Sequence, residues 1–359
     1  MSFLDALKKA QPTAASIFGV PVETANYHNG IFGIPSTYET SQLILIPVPW
    51  DVTTSYGGGA SKGPQHILEA SPQLDLFDLS YKTPYKKGIH LLPIPEDIQK
   101  RNTFLRPLAQ QLQNKREEGI PLSKDDKRVE SHINQACIET NAWVYSQAKK
   151  ILADHKIPAV IGGDHSTPYG LIKAILEKNP DTGVLHIDAH ADLRISYQDF
   201  THSHASIMHN VMSLAHAPIS LVQVGIRDFC EEEYNRIVHD ARIHTFFGPQ
   251  LEDSLFEGIP WTNICRQICA KLPPKVYVSF DIDGLSPLFC PGTGTPVPGG
   301  ISFAQARYLL KTLAQSNRDI IGFDLNEVAP SPQGEWDGNV GARMLYQLCG
   351  AALYKTTSS

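Results

Sequence analysis

No stretch of the 359 residues approaches the ~18 uninterrupted apolar positions that a membrane-spanning helix needs, so a transmembrane segment is excluded. The opening residues, MSFLDALKKAQPTAASIFGV, lack a basic start followed by an apolar core, so no secretory signal is expected and a cytoplasmic location is. Charge of one sign is missing as well. The 31 Lys and Arg stand against 37 Asp and Glu, net -6, with no long block of either, which leaves no electrostatic footprint for nucleic acid or for an anionic membrane surface. Short basic clusters such as KTPYKK (82–87) read as solvated loop. Cysteine is sparse: the six residues are scattered, which fits reduced thiols in a reducing compartment and excludes a disulfide framework. Cys265 and Cys269 fall at i, i+4 with no second Cys or His pair nearby, and read as packing on one helix face. There is no internal repeat and no low-complexity tract. The glycines of SYGGGASKGPQHILEAS (55–71) lack the G-x-x-x-x-G-K-[ST] spacing of a nucleotide loop, so Gly57, Gly58 and Gly59 read as close backbone approach near a site mouth.

What is present is the composition of a folded enzyme, 42% hydrophobic and 19% charged. Apolar runs rich in β-branched residues recur at 43–48, 158–163, 183–188, 219–225, 275–281 and 319–325. Segments of helical character lie at 64–71, 137–154, 168–178, 205–215, 231–239, 260–271, 302–315 and 340–354. Continuous apolar strands alternating with helices predict a parallel sheet covered on both faces, a three-layer α/β fold. Two regions depart from the rhythm: residues 1–40, read as an N-terminal extension, and a polar insertion at about 79–135. The domain expected over 41–359 carries that insertion at its periphery.

In open α/β folds, ligands gather beyond the carboxyl ends of the strands. Polar chemistry gathers there in this chain. The run at 158–163 ends in Gly162-Gly163-Asp164-His165-Ser166, that at 183–188 in Asp188, His190 and Asp192, that at 275–281 in Asp281 and Asp283, and that at 319–325 close to Glu327. In VLHIDAHADLR (184–194), side chains at alternate positions of an extended chain leave on one face, so Asp188, His190 and Asp192 are expected to converge. Imidazole and carboxylate donors without thiolates suit Mn(II), and also Ni(II), Fe(II) or Zn(II). Two such ions sharing carboxylates would acidify a water between them, which implies hydrolysis. Plainer readings stand beside this one. Asp164 suffices as the cap of the next helix, and His186, inside its apolar run, reads as a satisfied structural histidine.

GGDHS (162–166), DAHAD (188–192) and SFDIDGL (279–285) together resemble the three signatures of the ureohydrolase superfamily of arginases and agmatinases, in order and spacing, from about residue 42 to 354. The resemblance implies an arginase-type α/β/α fold with a mainly parallel, roughly eight-stranded sheet. It also implies two Mn(II) ions per subunit, with Ni(II) as the alternative metal. One ion would be held by His165, Asp188, Asp192 and Asp281, the other by Asp188, His190, Asp281 and Asp283. THSHASIM (201–208) resembles the agmatinase segment that carries a proton-shuttling histidine, which falls on His204 in preference to His202. Glu327, in LNEVAPS, matches the glutamate that grips a guanidinium, a planar cation suited to bidentate carboxylate contact. A buried salt-bridge partner is the plainer reading of Glu327. Homo-oligomers, trimers or hexamers, are also implied.

The expected substrate is a small guanidino compound. CPGTGTPVPGG (290–300) and SHASIM look agmatinase-like, and Cys230 stands where arginases carry an acidic head-group anchor. Agmatine is therefore the expected substrate, with guanidine, guanidinobutyrate or a related guanidino acid, arginine and formiminoglutamate as alternatives. Ser286 replaces the Asp that commonly follows DGL and leaves the pocket's shape open. A fold-related deacetylase would carry a single zinc, against which the bridging pair Asp188 and Asp281 argues. A catalytically silent binding member would have lost ligands that are all present here.

Overall fold

The computed structural model describes residues 30–331 and 334–355, so most of the expected N-terminal extension lies outside the described residues. Eight strands form one sheet: β1 (Leu43–Val48), β2 (Ile89–Leu91), β3 (Ile157–Gly162), β4 (Thr182–Ile187), β5 (Ser220–Ile226), β6 (Ile243–Phe247), β7 (Lys275–Asp281) and β8 (Asp319–Asn326). Their order is β2-β1-β3-β8-β7-β4-β5-β6 and every pairing is parallel. The apolar runs are continuous because both faces are buried. Along β1, Leu43 and Leu45 enter one core layer while Ile44, Ile46 and Val48 enter the other.

Helices α1 (Gly63–Ala70), α8 (Trp261–Ala270), α9 (Phe303–Ala314) and α10 (Trp336–Leu353) cover the first face. Cys265 and Cys269 lie on the buried side of α8, and the six thiols are all free. Helices α2 (Glu96–Glu117), α3 (Lys124–Ala153), α4 (Tyr169–Lys178), α5 (Ile207–Met212) and α6 (Glu231–His239) cover the second. A further helix, α7 (Gly248–Phe256), follows β6. Among the described residues no helix is long and apolar enough to cross a membrane.

Two departures from the sequence pattern have physical causes. β2 and β6 are edge strands with half-buried residues, so neither shows a continuous apolar run. The helix expected from 137 begins at Lys124, because Ser123 closes a capping box with Asp126 (Ser123 Oγ accepts from Asp126 N at 3.1 Å, Asp126 Oδ2 from Ser123 N at 2.9 Å). The segment 79–135 therefore holds β2 and most of an α2–α3 hairpin.

Strands β3, β8, β7 and β4 are contiguous in the middle of the sheet, and their carboxyl ends carry all four motif segments. The approach of β1 to β3 at that end is tight: a Cβ on Gly163 would lie 1.8 Å from the Trp50 carbonyl oxygen. Because backbone cannot yield as a side-chain tip can, Gly163→Ala is expected to cost about 2 kcal/mol or more. A denaturant titration checks this, with a lower midpoint at unchanged slope.

Candidate metal centre and catalytic cleft

The structure gathers the six candidate ligands into two adjoining groups. Around His165 Nδ1 lie Asp188 Oδ2 at 2.9 Å, Asp192 Oδ2 at 3.2 Å and Asp281 Oδ2 at 3.3 Å. Around His190 Nδ1 lie Asp283 Oδ2 at 3.1 Å and Asp188 Oδ1 at 3.5 Å. Asp188 belongs to both, one oxygen to each. The donor atoms of His165, His186, Asp188 and Asp192 fall within 4.8 Å of one another, as do those of Asp188, His190 and Asp283. Only His190 reaches solvent appreciably.

The convergence does not arise from strand alternation. β4 ends at Ile187, and Asp192 sits at φ 55, in the left-handed region, so the chain turns back to bring its carboxylate to His165. Backbone donors fix the remaining carboxylates. The N–H of His190 donates to Asp188 Oδ1 (2.7 Å), that of Ala189 to Asp283 Oδ1 (3.0 Å) and that of Asp283 to Asp281 Oδ1 (2.8 Å). A Cβ on Gly284 would lie 2.8 Å from Asp188 N, so the two aspartate loops meet at a glycine.

A second layer orients the first. His165 Nε2 meets Ser279 Oγ at 2.9 Å, and that hydroxyl donates to Asp324 (3.1 Å), whose other oxygen accepts from Tyr277 (2.6 Å). His186, read from sequence as structural, is satisfied on both nitrogens. Gln223 Nε2 donates to its Nδ1 (3.1 Å), which leaves Nε2–H to donate to Asp188 Oδ2 (2.8 Å). Gln223 is fixed in turn by the Ala191 carbonyl (2.8 Å) and the Thr245 hydroxyl (2.8 Å). Sequence reading missed Gln223, whose polarity inside the buried run of β5 was the available signal.

The electrostatics fit a cation-binding role. Burial pushes the Asp281 carboxyl well above its usual range, with Asp283 and Asp188 adding repulsion, and burial and Asp188 push Asp192 up to about 7. At Asp188 burial acts in the same sense but is outweighed by His186 and by hydrogen bonds from His165, His186 and His190, which hold it well below. Burial opposes charge on His165 and His190, yet the surrounding aspartates raise both well above the usual imidazole value. Among the described residues no Lys or Arg forms an ion pair with Asp188, Asp192, Asp281 or Asp283. A buried carboxylate cluster whose oxygens no Lys or Arg pairs is the donor set that divalent ions neutralise.

Glu327 and His204 stand beside this cluster. Glu327 follows β8 at φ 63, its N–H bonded to the Gly163 carbonyl (2.8 Å) and its Oε1 accepting from His165 N (2.9 Å). Its Oε2 is buried without a hydrogen-bond partner, and a Cβ on Gly294 would lie 3.4 Å from it. Burial, reinforced by Asp164, pushes the Glu327 carboxyl well above the usual range. His204 Nδ1 lies 3.6 Å from Glu327 Oε1, and its Nε2 accepts from Ser55 N (3.3 Å) with Ser55 Oγ at 3.1 Å. A backbone N–H can only donate, so Nε2 carries a lone pair and the ring is neutral. Burial, with His190 nearby, pushes this imidazole down to about 3. His202 lies elsewhere, edge-on to Tyr169 at 5.4 Å in a separate surface hollow.

A cleft of about 120 Å³ opens over His190 and His204, walled by Ser55, Arg194, Tyr197 and Asp228. Gly57 pairs with the 290–300 segment through Gly57 N to Gly294 O (3.0 Å), which accounts for the glycine loop. Arg227 ties the same segment down, donating to Asp283 O (2.8 Å) and Val297 O (2.9 Å). Cys230 caps α6, its N–H bonded to Glu233 (3.0 Å), outside the cleft lining. A larger hollow of about 440 Å³ lies at the opposite end of the sheet, against the start of β3 and β8, where Lys178 and Arg318 are spent on the carbonyls of Leu152 and Leu272.

Residues 41–350 match the model of the arginase family. An N(1)-aminopropylagmatine ureohydrolase from Thermus thermophilus is 30% identical over 324 residues, covering 89% of this chain and 94% of that protein. An agmatinase from Halalkalibacterium halodurans is 30% identical over 306 residues, covering 82% and 86%. The fold matches a formiminoglutamase from Trypanosoma cruzi, whose crystal structure contains Mn2+, with a TM-score of 0.67 over 88% of this chain and 95% of that one at 16% identity.

The hydrogen-bond chain behind Asp188 is testable without any substrate. Gln223→Leu strips partners from His186, from the Ala191 carbonyl and from Thr245. It is expected to lower stability by about 1–3 kcal/mol, read as a shift of the denaturant midpoint, with the circular-dichroism spectrum unchanged.

Proposed function

The chain belongs to the arginase family and is a ureohydrolase, and we propose that it hydrolyses agmatine to putrescine and urea at a pair of Mn(II) ions, with Ni(II) as the alternative metal. The observation that carries this reading is the free Glu327 Oε2. A buried carboxylate oxygen with no partner, on a side chain next to the neutral histidine that lines the cleft, is a seat for a planar cation. Asp228, its side chain 67% exposed at the cleft rim, offers a carboxylate to the ammonium at the far end of such a substrate. The same exposure would admit a longer polyamine, such as the aminopropyl derivative named for the Thermus relative.

In this reading His165, Asp188, Asp192 and Asp281 hold one ion, and Asp188, His190, Asp281 and Asp283 the other. When bound, the ions supply Lewis acidity and an acidified water. The protein's own contribution is orientation and proton transfer. Glu327 fixes the guanidinium with its carbon facing the cluster. His204, neutral at rest and held beside Glu327, assists proton transfer to the departing nitrogen as the carbon–nitrogen bond breaks. Water adds across that bond, so urea and a free amine leave in equal number.

Urea release by Mn-loaded protein, measured with agmatine, N1-aminopropylagmatine, guanidinobutyrate, guanidine and arginine, tests this. Agmatine is expected to give the highest kcat/KM, and Glu327→Gln to lose about 10²-fold or more. Preference for arginine by orders of magnitude would overturn the substrate assignment.

A further inference from the structure

We propose that the α2–α3 hairpin is a positioning element of the catalytic cleft, and that Arg106 is the residue through which it acts on His204. Three polar residues of α2, Asn102, Arg106 and Gln113, lie at i, i+4 and i+11. They therefore share one helical stripe with the fully buried Ala109. Polar side chains on an inward stripe cost stability unless they are bonded. These are bonded, and all to one short loop. Asn102 Nδ2 donates to Asp51 Oδ1 (2.9 Å) while its Oδ1 accepts from Asp51 N (2.7 Å). Arg106 Nη1 donates to Val52 O (3.2 Å) and Thr54 O (2.6 Å). Gln113 Nε2 donates to Thr53 O (3.3 Å) and Thr54 O (3.2 Å). The helix thus reads the backbone of residues 51–54, and the next residue is Ser55, which fixes the ring of His204.

The same hairpin holds the opposite wall. Arg116 Nη2 pairs with Asp199 Oδ2 (3.1 Å), Asn134 Nδ2 donates to Asp199 O (3.1 Å), and Thr201 N donates to Asn134 Oδ1 (3.0 Å). Gln198 and Asp199 lie at φ 48 and 61, a conformation that needs such external support. This loop delivers Tyr197, whose ring is edge-on to His204 at 6.4 Å. A shift of either loop moves a contact of His204, and small misplacement of a catalytic group is costly.

The inference rests on the catalytic reading of His204, so its test has two arms, both on the full-length metal-loaded protein. In hydrogen exchange, Arg106→Ala is expected to speed the amides of 51–60 by about tenfold with those of β3, β4, β7 and β8 unchanged. In kinetics with the best guanidino substrate, Arg106→Ala is expected to lower kcat by about 10- to 100-fold with little change in KM. Ser55→Ala in that background should add less than about threefold. Arg106→Lys, which keeps a donor to the same carbonyls, should recover part of kcat. If Arg106→Ala does not fold, Gln113→Ala replaces it in both arms. Unchanged exchange at 51–60, or losses of Arg106→Ala and Ser55→Ala that multiply independently, would overturn the proposal. If the wild type hydrolyses no guanidino compound, the substrate reading fails and the exchange arm alone decides the positioning role.

Discussion

Everything at the working end of this molecule follows from one constraint: the side chains of Asp188, Asp192, Asp281, Asp283 and Glu327 are buried together around His165, His190 and His204, and among the described residues no Lys or Arg forms an ion pair with them. Ionised carboxylates in a dry site repel strongly and lose hydration, so such a cluster persists only if the scaffold forces it and a cation rewards it. The scaffold does so with four contiguous parallel strands whose carboxyl ends are buried. Backbone N–H groups then take up one oxygen each of Asp281, Asp283 and Glu327, and the His190 N–H steadies Asp188, whose two oxygens serve the two groups.

The layers behind the ligands express the same constraint. Ser279, Asp324 and Tyr277 hold His165 from one side, and Gln223 sets His186 so that it can only donate to Asp188. Such partners aim ligands and raise their basicity. Asp192 and Glu327 pay for their aim with left-handed backbone, the kind of local strain that functional sites retain when surrounding structure imposes it. Farther out, the mouth loops lack regular structure of their own, and the α2–α3 hairpin supplies the hydrogen bonds they need.

Much of this was legible in the sequence, and the boundary of legibility is physical. Parallel strands buried on both faces read as continuous apolar runs, and the His and Asp residues concentrated where those runs end pointed to the sheet and to the buried His/Asp cluster together. His204 was separable from His202 only through a family resemblance, since spacing alone does not distinguish two neighbouring histidines; the structure places the first by Glu327 and the second by Tyr169. What stayed hidden was non-local. Asn102, Arg106 and Gln113 look like a solvated helix face until the loop they bind is known. Ser55 looks like any loop serine, and the turn at Asp192 is invisible to a reading that extends the strand through it.

The central claim is that buried negative charge is this fold's provision for two divalent cations. Titration of chelator-stripped protein with Mn2+, following heat by calorimetry and the melting temperature in parallel, tests it most directly. The account predicts binding that saturates at two ions per chain with a rise in Tm that follows occupancy. Saturation below one ion per chain, or occupancy without any rise in Tm, would contradict it.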